Sequence, residues 1–599
     1  MILQKLSDEQ KDAVFDENNI LLTAIPGSGK TRTLTNKVLK ELQEEKNGMV
    51  IAITYTRRAA NEIKERIHEI LGEIPKKAWI GTIHSFCLEF VIRKYGSFSE
   101  TISKPFTIIG DDDRDKIIKD LKCKYNINEY AKIDMTLDID GKPNNILYYK
   151  FVEEYYEYLL QNQMVDFNYI LYETYKMLIK SKRIRNNLGN IIRVICIDEY
   201  QDTQELQYQI LALLTNNETD KNIFIVGDVN QAIYSGIGGV IKNKVELEKI
   251  FGRPFIERKL TGCYRSNQEI IDLYKNFCCE EHVMVSMDKK YINPIIQINN
   301  SITKDELIPN IANIISDLVD NQNISPEEIC IIAPQWYMLF DFSNKIRELL
   351  PNVPFDAPGI IPLKKDEESI IYKISEILLS NFSFNNKNYL ERLTDEIIKQ
   401  FQEEYSINLN IDKKEFLNFC YEAKKVNKIV ATEYLKDSLS IVFDKLNLKE
   451  FFKDNVEDFI KGTIERIKKY ERNGMEDDRL FFEKALRSKQ GVVISTAHGV
   501  KGEEYRVVIA FGLLYGFIPH WDTIYNNSNE AESEAKKLLY VIGSRAKEKL
   551  YLFAESGRTT KRGDEYTITP ELSGVIQKYE NNRIDLVVKN RKEDTSESV

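Results

Sequence analysis

The chain has 599 residues, of which 43% are hydrophobic and 29% are charged, and its formal net charge is −10. This length predicts several domains of about 150 residues each, and the negative charge means that any nucleic-acid site must be argued from local motifs. No apolar run approaches the roughly 20 residues that cross a bilayer, and the N-terminus lacks the order of a signal peptide, so we expect a cytoplasmic protein without a membrane partner. The eight cysteines have no regular spacing, which favours reduced thiols over a disulfide framework.

The first predicted element is an amphipathic helix capped by Ser7. Within it, the Gln10 amide carries both donors and an acceptor, so it can read the donor–acceptor edge of an adenine. A solvated helix glutamine is the alternative interpretation. The position of Gln10 just ahead of a phosphate-binding loop favours the adenine-reading one.

That loop lies between a predicted strand at 20–22 and a predicted helix that carries its apolar residues at 34–42. It fits the pattern G-x-x-x-x-G-K-[ST], with alanine in the first position. Glycines let backbone N–H groups turn towards a polyphosphate, and the helix directs its positive dipole end to the same anion. The lysine supplies a charge for the β- and γ-phosphates, and the threonine hydroxyl suits Mg²⁺. The loop predicts a nucleoside triphosphate site formed by Ala24, Ile25, Pro26, Gly27, Ser28, Gly29, Lys30 and Thr31.

Two further predicted strands, which end near residues 53 and 81, are followed by side chains that suit nucleic acid. Hydroxyls and arginines suit phosphate contacts, and an aromatic ring suits the face of a base. Ordinary loop chemistry is an equal alternative for each strand end. The candidate side chains are Thr54, Tyr55, Thr56, Arg57, Thr82 and His84.

After a predicted helical insertion at 96–187, a continuous apolar strand ends in the adjacent carboxylates Asp198 and Glu199. Open α/β sheets bind ligands at the carboxyl ends of their strands. In a triphosphatase, one acid holds Mg²⁺ and the second activates the attacking water, here Asp198 and Glu199 respectively. An acidic helix start is the alternative, and the phosphate loop on the same chain disfavours it.

The next predicted strand, 222–226, leads to Gln231 and Tyr234. A neutral amide suits the sensing of a γ-phosphate or the positioning of water, and the tyrosine ring can face a base. Further along, Tyr264 and Arg265 place a stacking ring beside a guanidinium, which suits an adenine and a phosphate respectively.

The second half of the chain repeats this organisation. Strand candidates at 295–298 and 329–332 predict a second α/β domain, and the charged helical stretch 366–484 predicts a second insertion. The domain resumes at 491 with a strand, a polar loop and a strand. Near its end, Arg545 follows a predicted helix, from which an arginine can reach into a neighbouring domain's triphosphate. The residues beyond about 575 are charged and are expected to fray.

Taken in order, these segments resemble the motifs of the UvrD/Rep-like branch of superfamily 1 helicases. The order makes the resemblance specific, since so many motifs do not align in sequence by chance. The matching segments, from the adenine-reading motif to motif VI, are Gln10 and residues 24–31, 54–66, 81–86, 198–202, 226–234, 264–266, 498–505 and 540–546.

The resemblance implies an α/β fold with two RecA-like P-loop domains, whose parallel sheets are flanked by helices and which each carry a helical insertion. The implied divisions are 1–95 with 188–265 for the first motor domain, 96–187 for its insertion, 266–365 with 485–575 for the second motor domain, 366–484 for its insertion, and a charged tail at 576–599.

The resemblance also implies ATP and Mg²⁺ as cofactors and assigns roles to individual residues. It places Lys30, Thr31 and Asp198 at phosphate and Mg²⁺, Glu199 as the base, Gln231, Arg265 and Arg545 at the γ-phosphate, Tyr264 on adenine and Glu504 on ribose. Family members move 3′ to 5′ along single-stranded DNA, so we expect single-stranded DNA or a 3′-tailed duplex as the partner of this chain. The implied DNA contacts are Thr54, Tyr55, Thr56, Arg57, Thr82, His84, Tyr234 and His498.

One motif departs from the family pattern. Where relatives have Trp and Arg after the serine of motif III, this chain has Gly236 and Ile237, so a base-stacking ring is missing. Two hypotheses stay open. The first is a 3′–5′ DNA helicase or translocase. The second is an ATP-dependent DNA-sensing switch, or a subunit that works beside a separate nuclease or repair protein, as in phage defence, and unwinds weakly.

Overall fold

Two six-stranded sheets organise the chain, and every strand pair within them is parallel. The computed structural model describes residues 6–102, 106–128, 131, 133–215, 221–234, 238–287, 295–356, 362–364, 366, 369–380, 387–471, 475–486, 491–526, 528–560, 562–581 and 587–589. The predicted α/β fold with helix-flanked parallel sheets is confirmed.

The first sheet begins with a strand of the sequence Ile-Leu-Leu-Thr-Ala, whose apolar side chains are buried on both faces. The helix before it has a capping box, in which Ser7 and Gln10 satisfy each other's backbone N–H groups. The first elements are α1 (Asp8–Phe15), β1 (Ile20–Ala24), α2 (Lys30–Gln43), β2 (Met49–Thr54), α3 (Arg57–Leu71), β3 (Ala78–Thr82), α4 (Ile83–Phe86) and α5 (Arg93–Tyr95).

The first insertion shares its core with the first sheet. Phe151 and Tyr155 belong to the same buried cluster as Leu21, Ile53 and Ile195, which line one face of that sheet. The insertion is therefore continuous with the domain that carries it. Its elements are β4 (Thr107–Ile108), α6 (Asp111–Lys124), α7 (Tyr149–Gln161), β5 (Met164–Val165), α8 (Phe167–Lys180) and α9 (Lys182–Ile191).

The chain then completes the first sheet with β6 (Ile192–Ile197), α10 (Glu205–Thr215), β7 (Asn222–Gly227), α11 (Lys244–Phe251) and β8 (Ile256–Leu260). The strand order is β3-β2-β6-β7-β1-β8. Strands β1, β2, β6 and β7 are thus neighbours, and because they are parallel their carboxyl ends lie at one edge. The phosphate loop and the two carboxylates are held together at that edge.

The second sheet has the strand order β13-β12-β14-β15-β11-β16. The elements before its insertion are β9 (Gly262–Cys263), α12 (Gln268–Lys275), β10 (Val285–Ser286), β11 (Ile295–Asn299), α13 (Lys304–Ser316), β12 (Ile329–Ala333) and α14 (Trp336–Leu349). The insertion contributes α15 (Ile370–Leu379), α16 (Lys387–Tyr405), α17 (Lys413–Ala423), α18 (Ala431–Lys445), α19 (Lys449–Tyr470) and α20 (Arg479–Ala485). The elements after it are β13 (Val493–Thr496), β14 (Tyr505–Ala510), α21 (Trp521–Asn526), α22 (Ser528–Gly543), β15 (Ala546–Phe553), α23 (Pro570–Asn581) and β16 (Val587–Lys589).

The second insertion has a core of its own, drawn from residues between Leu363 and Phe482, whereas the second sheet packs in a different cluster. It lies against the first domain and the first insertion through ion pairs. Their separations are 2.7–3.0 Å, and the pairs are Glu65 with Arg392, Glu396 with Lys64, Asp112 with Arg466 and Asp113 with Lys364. We propose the sequence-derived boundaries as the division into domains, except that Leu363 and Lys364 go with the second insertion and that α23 and β16 go with the second motor domain.

The expectation of a fraying tail is wrong for the part of it that the structure describes. Helix α23 continues to Asn581, and β16 pairs with β11 as an edge strand. The apolar run that contains Val587 and Val588 is too short to have predicted a strand. In the described ranges, no helix combines the length and apolar character of a membrane span.

Candidate active site

The phosphate loop joins β1 to α2, and its two glycines adopt the left-handed conformation, with φ of +71° for Gly27 and +82° for Gly29. The Gln10 amide lies beneath this loop, because its Nε2 donates to the Ser28 carbonyl at 2.9 Å. Its Oε1 accepts from the Ser7 N–H at 3.0 Å, and the side chain is buried. Gln10 therefore supports the loop, and its contact with adenine stays a prediction.

Tyr264 and Arg265 lie directly against the phosphate loop. The Tyr264 N–H donates to the Gly27 carbonyl at 2.8 Å. Since 45% of Tyr264 is exposed, its ring is accessible to a nucleotide at this edge. The Arg265 Nε donates to Glu504 at 2.8 Å, and its Nη1 donates to the Ser544 carbonyl at 2.8 Å.

Asp198 and Glu199 follow β6 at the carboxyl edge of the sheet, and the Glu199 carboxylate is 3.8 Å from the Lys30 ammonium. Burial, together with the charge of Glu199, raises the pKa of Asp198. Burial opposes the ionisation of Glu199 as well, but the charges of Lys30 and Lys501 outweigh it and lower the Glu199 pKa. Glu199 is therefore ionised at neutral pH. Its backbone is left-handed at φ +52°, a strained conformation for a residue other than glycine.

The donors around Asp198 fit a magnesium ion. Mg²⁺ prefers oxygen ligands, and the Thr31 hydroxyl and the Asp198 carboxylate are both of that kind. The raised pKa of Asp198 reports a buried carboxylate whose negative charge is poorly compensated by its protein neighbours. A divalent cation would relieve that penalty, so these residues suit the ion.

Arg545 crosses from the second domain to the first. Its side chain is 1% exposed, and it donates to the Gln231 side-chain oxygen at 3.1 Å and to the Glu503 carbonyl at 3.1 Å. Gln231 in turn donates to Asp228 at 2.7 Å. Burial, with repulsion from Arg265, lowers the Arg545 pKa to about 9, so the guanidinium stays charged at neutral pH. The predicted pair of γ-phosphate contacts, Gln231 and Arg545, is thus brought together.

Glu504 is held between two cations. One carboxylate oxygen accepts from Arg265, and the other is 2.9 Å from the Lys547 ammonium. Burial opposes its charge, but Arg265 and Lys547 prevail and lower the Glu504 pKa to about 2. The structure places Glu504 beside Arg265 at the cleft, and its contact with ribose stays a prediction.

Lys501 is a site residue that the sequence did not assign. Its ammonium bonds to the buried Asp202 carboxylate and to the Gln231 carbonyl, the latter at 2.7 Å. Burial raises the Asp202 pKa to about 7, although the Lys501 charge acts in the opposite direction. The only local signal was a lysine in the polar loop after a buried strand, and its partner is 299 positions away in the chain.

The predicted nucleic-acid contacts meet in an aromatic stack. The Tyr55 and Tyr234 rings lie 4.8 Å apart with an interplanar angle of 25°, and the His498 ring is 5.7 Å from Tyr234. The Lys501 ammonium lies 4.8 Å from the centre of the Tyr234 ring. Because Tyr234 and Gln231 are three residues apart, the stack is connected to the cross-domain contact.

The other predicted contacts have structural duties as well. Thr56 and Thr82 cap helices α3 and α4 with their hydroxyls, and the buried Thr54 hydroxyl donates to the Thr56 carbonyl at 2.8 Å. Arg57 begins α3 and is partly exposed. The His84 ring packs edge-on against Phe167.

A cavity of about 220 Å³ joins the two sets of candidate residues. Tyr55 and His84 line it together with Asp198 and Glu199. Carboxylates predicted for hydrolysis and side chains predicted for nucleic acid therefore face one space. Gly236 and Ile237 of motif III lie outside the described residues.

Comparison with known proteins covers almost the whole chain. Residues 6–252 match the model of the UvrD/REP helicase N-terminal domain, and residues 259–557 match that of the UvrD-like helicase C-terminal domain. The chain is 26% identical to a probable DNA helicase II homolog of Mycoplasma capricolum, over 92% of this chain and 84% of that protein. It is 24% identical to the ATP-dependent DNA helicase PcrA of Staphylococcus aureus, over 93% of this chain and 84% of that protein.

The two family models match in chain order, and each covers five of the six strands of one parallel sheet. The phosphate loop, the paired carboxylates and the cross-domain arginine lie where the first sheet meets the second domain. The chain therefore belongs to the UvrD/Rep helicase family and is an ATP-hydrolysing helicase of that family.

Proposed function

We propose that this chain is a 3′–5′ DNA helicase that hydrolyses Mg·ATP to move along single-stranded DNA. The observation that carries the proposal is the segment from Gln231 to Tyr234. Its first residue accepts a hydrogen bond from Arg545 of the second domain, and its last stacks on Tyr55. A change at the γ-phosphate and a change at a bound base therefore act on the same short segment.

The proposed hydrolysis uses an ionised general base, Glu199, and the positive charge of Lys30 in the phosphate loop. Glu199, whose pKa is lowered, accepts the proton of the attacking water. Lys30 neutralises charge on the β- and γ-phosphates, and Arg545 brings a second cation from the opposite domain to the charge that develops at the γ-phosphate. The reaction therefore needs both domains in place.

Thr31 and Asp198 are the residues that would hold Mg²⁺. The ion would neutralise phosphate charge and so complement Lys30 and Arg545. With the ion bound, Asp198 would carry its negative charge at neutral pH, because a cation favours the ionised form.

Movement follows from the loss of the γ-phosphate. Arg545 and Lys501 of the second domain each bond to Gln231 of the first, so removing an anion from their surroundings changes the attraction between the domains. Because Tyr234 lies on the segment that begins at Gln231, a change in that attraction can separate the Tyr55 and Tyr234 rings, and a base can then stack between them. Membership of the UvrD/Rep family supports the proposed 3′–5′ direction.

Single-stranded DNA and 3′-tailed duplexes are the proposed substrates. A nuclease or repair protein as a partner, and a cytoplasmic location, stay predictions from the sequence. No observation on the described residues favours the DNA-sensing switch over the helicase.

The test combines ATP turnover with strand separation. We expect ATP hydrolysis that rises with single-stranded DNA and is lost in Lys30→Ala and Glu199→Gln, together with displacement of a strand from a 3′-tailed duplex. A 5′-tailed duplex of the same sequence is the matched substrate and should not be unwound. Turnover that DNA leaves unchanged would exclude the motor, and turnover without strand displacement would exclude unwinding.

A further inference from the structure

The loop after β13 contacts the first domain at a second point, through Glu503. The Glu503 carboxylate is paired with the guanidinium of Arg58, the second residue of α3. It also accepts from the Tyr505 hydroxyl, and only 8% of its side chain is exposed. Arg58 is 71% exposed, so one partner of this pair is fixed and the other faces solvent.

Glu503 is joined to the cross-domain arginine by its backbone. Its carbonyl accepts from Arg545 at 3.1 Å, and the next N–H but one, that of Tyr505, donates to the Arg545 carbonyl at 2.9 Å. Its own N–H donates to the Val500 carbonyl at 3.0 Å, which closes the turn. A displacement of the Glu503 side chain therefore moves the backbone carbonyl that binds the Arg545 guanidinium.

Arg58 is connected to the predicted DNA contacts through the backbone. It follows Thr56 and Arg57 at the start of α3, just after Tyr55 and the end of strand β2. A contiguous set of bonds thus runs from this strand end through Arg58 and Glu503 to Arg545 and Gln231.

We propose that Glu503 is a positioning residue that couples DNA bound at the end of β2 to the placement of Arg545. This inference rests on the proposed function, because it assumes that DNA binds at that strand end and stimulates hydrolysis. Glu503 acts through its protein partners Arg58 and Arg545. Glu503 fixes the turn that holds Arg545. Its ion pair with Arg58 makes the position of that turn depend on the position of the first domain.

The experiment measures ATP hydrolysis with and without an oligo-dT strand for Glu503→Gln, Arg58→Met and the combination of both. Each single variant should lower the DNA-stimulated kcat by about fivefold, with little change in the KM for ATP, and the double variant should be no worse than either single one. The swap of Arg58→Glu with Glu503→Arg should restore most of the stimulated kcat. Lys345→Met, which removes an exposed ion pair within the second domain, is the matched control and should behave as the wild type.

Arg58 is exposed, so Arg58→Met tests the coupling even if Glu503→Gln reduces stability. A normal stimulated kcat in Glu503→Gln would overturn the inference, and so would a double variant with additive losses. A loss in Arg58→Met alone would mean that Arg58 acts on DNA directly, and would overturn it too. If the wild type shows no stimulation by DNA, the proposed function falls and this inference with it; the other outcomes leave the proposed function intact.

Discussion

Gly27 and Arg265 are packed so closely that a Cβ on residue 27 would lie 2.5 Å from the Arg265 Cβ. The same Cβ would lie 2.9 Å from the Cys263 sulfur, and φ at Gly27 is +71°. The phosphate loop is thus built against the segment that carries Tyr264 and Arg265. The position requires glycine for its backbone conformation and for its space.

Gly27→Ala should therefore weaken nucleotide binding. The left-handed conformation costs an L-residue about 1–2 kcal/mol, and the contact with Arg265 must also be relieved. We expect at least a tenfold rise in the Kd of a fluorescent ATP analogue, measured by titration, because a 1.4 kcal/mol loss is about tenfold. Gly574→Ala is the control, since nothing lies within 4 Å of a Cβ at that helical position, and its Kd should equal that of the wild type.

Arg545 should be needed for turnover more than for binding. Arg545→Ala removes the cation that reaches Gln231, and we expect kcat to fall about 100-fold or more, as for other arginines that stabilise phosphoryl transfer. Arg545→Lys should recover little, because lysine lacks the planar fork that bonds to Gln231, Glu503 and the Val541 carbonyl at once. Steady-state hydrolysis at saturating DNA measures both. A kcat within threefold of the wild type in Arg545→Ala would contradict the assigned role.

The Tyr55–Tyr234 stack predicts where a base is held. Tyr234→Ala should raise the Kd for a labelled oligo-dT strand by roughly 5–150-fold, because a base–aromatic stack is worth about 1–3 kcal/mol. Tyr55→Ala should act similarly, and the two changes should not add, since the rings are in contact. Fluorescence anisotropy measures the Kd. Tyr158→Ala, an exposed tyrosine of the first insertion, is the control; additive effects would place the base elsewhere.

The lowered pKa of Glu504 predicts that the stability of the fold depends on pH. Its folded pKa of about 2 is below the ordinary value of 4.5, so its ion pairs stabilise the fold above about pH 4.5 and are lost as the pH falls towards 2. The difference in Tm between the wild type and Glu504→Gln should therefore be largest at pH 6–7 and shrink between about pH 4.5 and 3. Differential scanning fluorimetry over this range measures it. A difference in Tm that does not change with pH would show that the carboxylate charge is not involved.

The ion pairs between the second insertion and the first domain predict that the position of the insertion depends on salt concentration. Arg392 pairs with Glu65, and Lys399 pairs with Glu89. The double variant Arg392→Glu, Lys399→Glu replaces both attractions by repulsion between like charges. Because the insertion has its own core, we expect it to separate from the first domain without unfolding, with a larger radius of gyration in small-angle X-ray scattering. Raising the salt should shift the wild type in the same direction, since exposed ion pairs are screened. Lys413→Glu, whose partner lies within the insertion, is the control and should leave the radius unchanged.

Local sequence determined the elements and the ends of the strands. An apolar strand followed by glycines and Lys30, or by Asp198 and Glu199, predicts chemistry at the carboxyl end of a parallel strand whatever surrounds it. Since parallel strands deliver those ends to one edge, the phosphate loop and the carboxylates had to lie at the same edge once the fold class was known. The order of motifs then placed Gln231 and Arg545 in the same site.

Only the tertiary structure decided which side chains face each other across the cleft. The pairs Lys501 with Asp202 and Arg58 with Glu503 join residues that are 299 and 445 positions apart, and each depends on how two whole domains dock. Local sequence carries no record of such docking, because a charged loop residue looks the same whether it meets solvent or a partner. The amide of Gln10, turned under the loop rather than outwards, and the separate core of the second insertion were decided for the same reason: burial depends on the long-range packing of the chain.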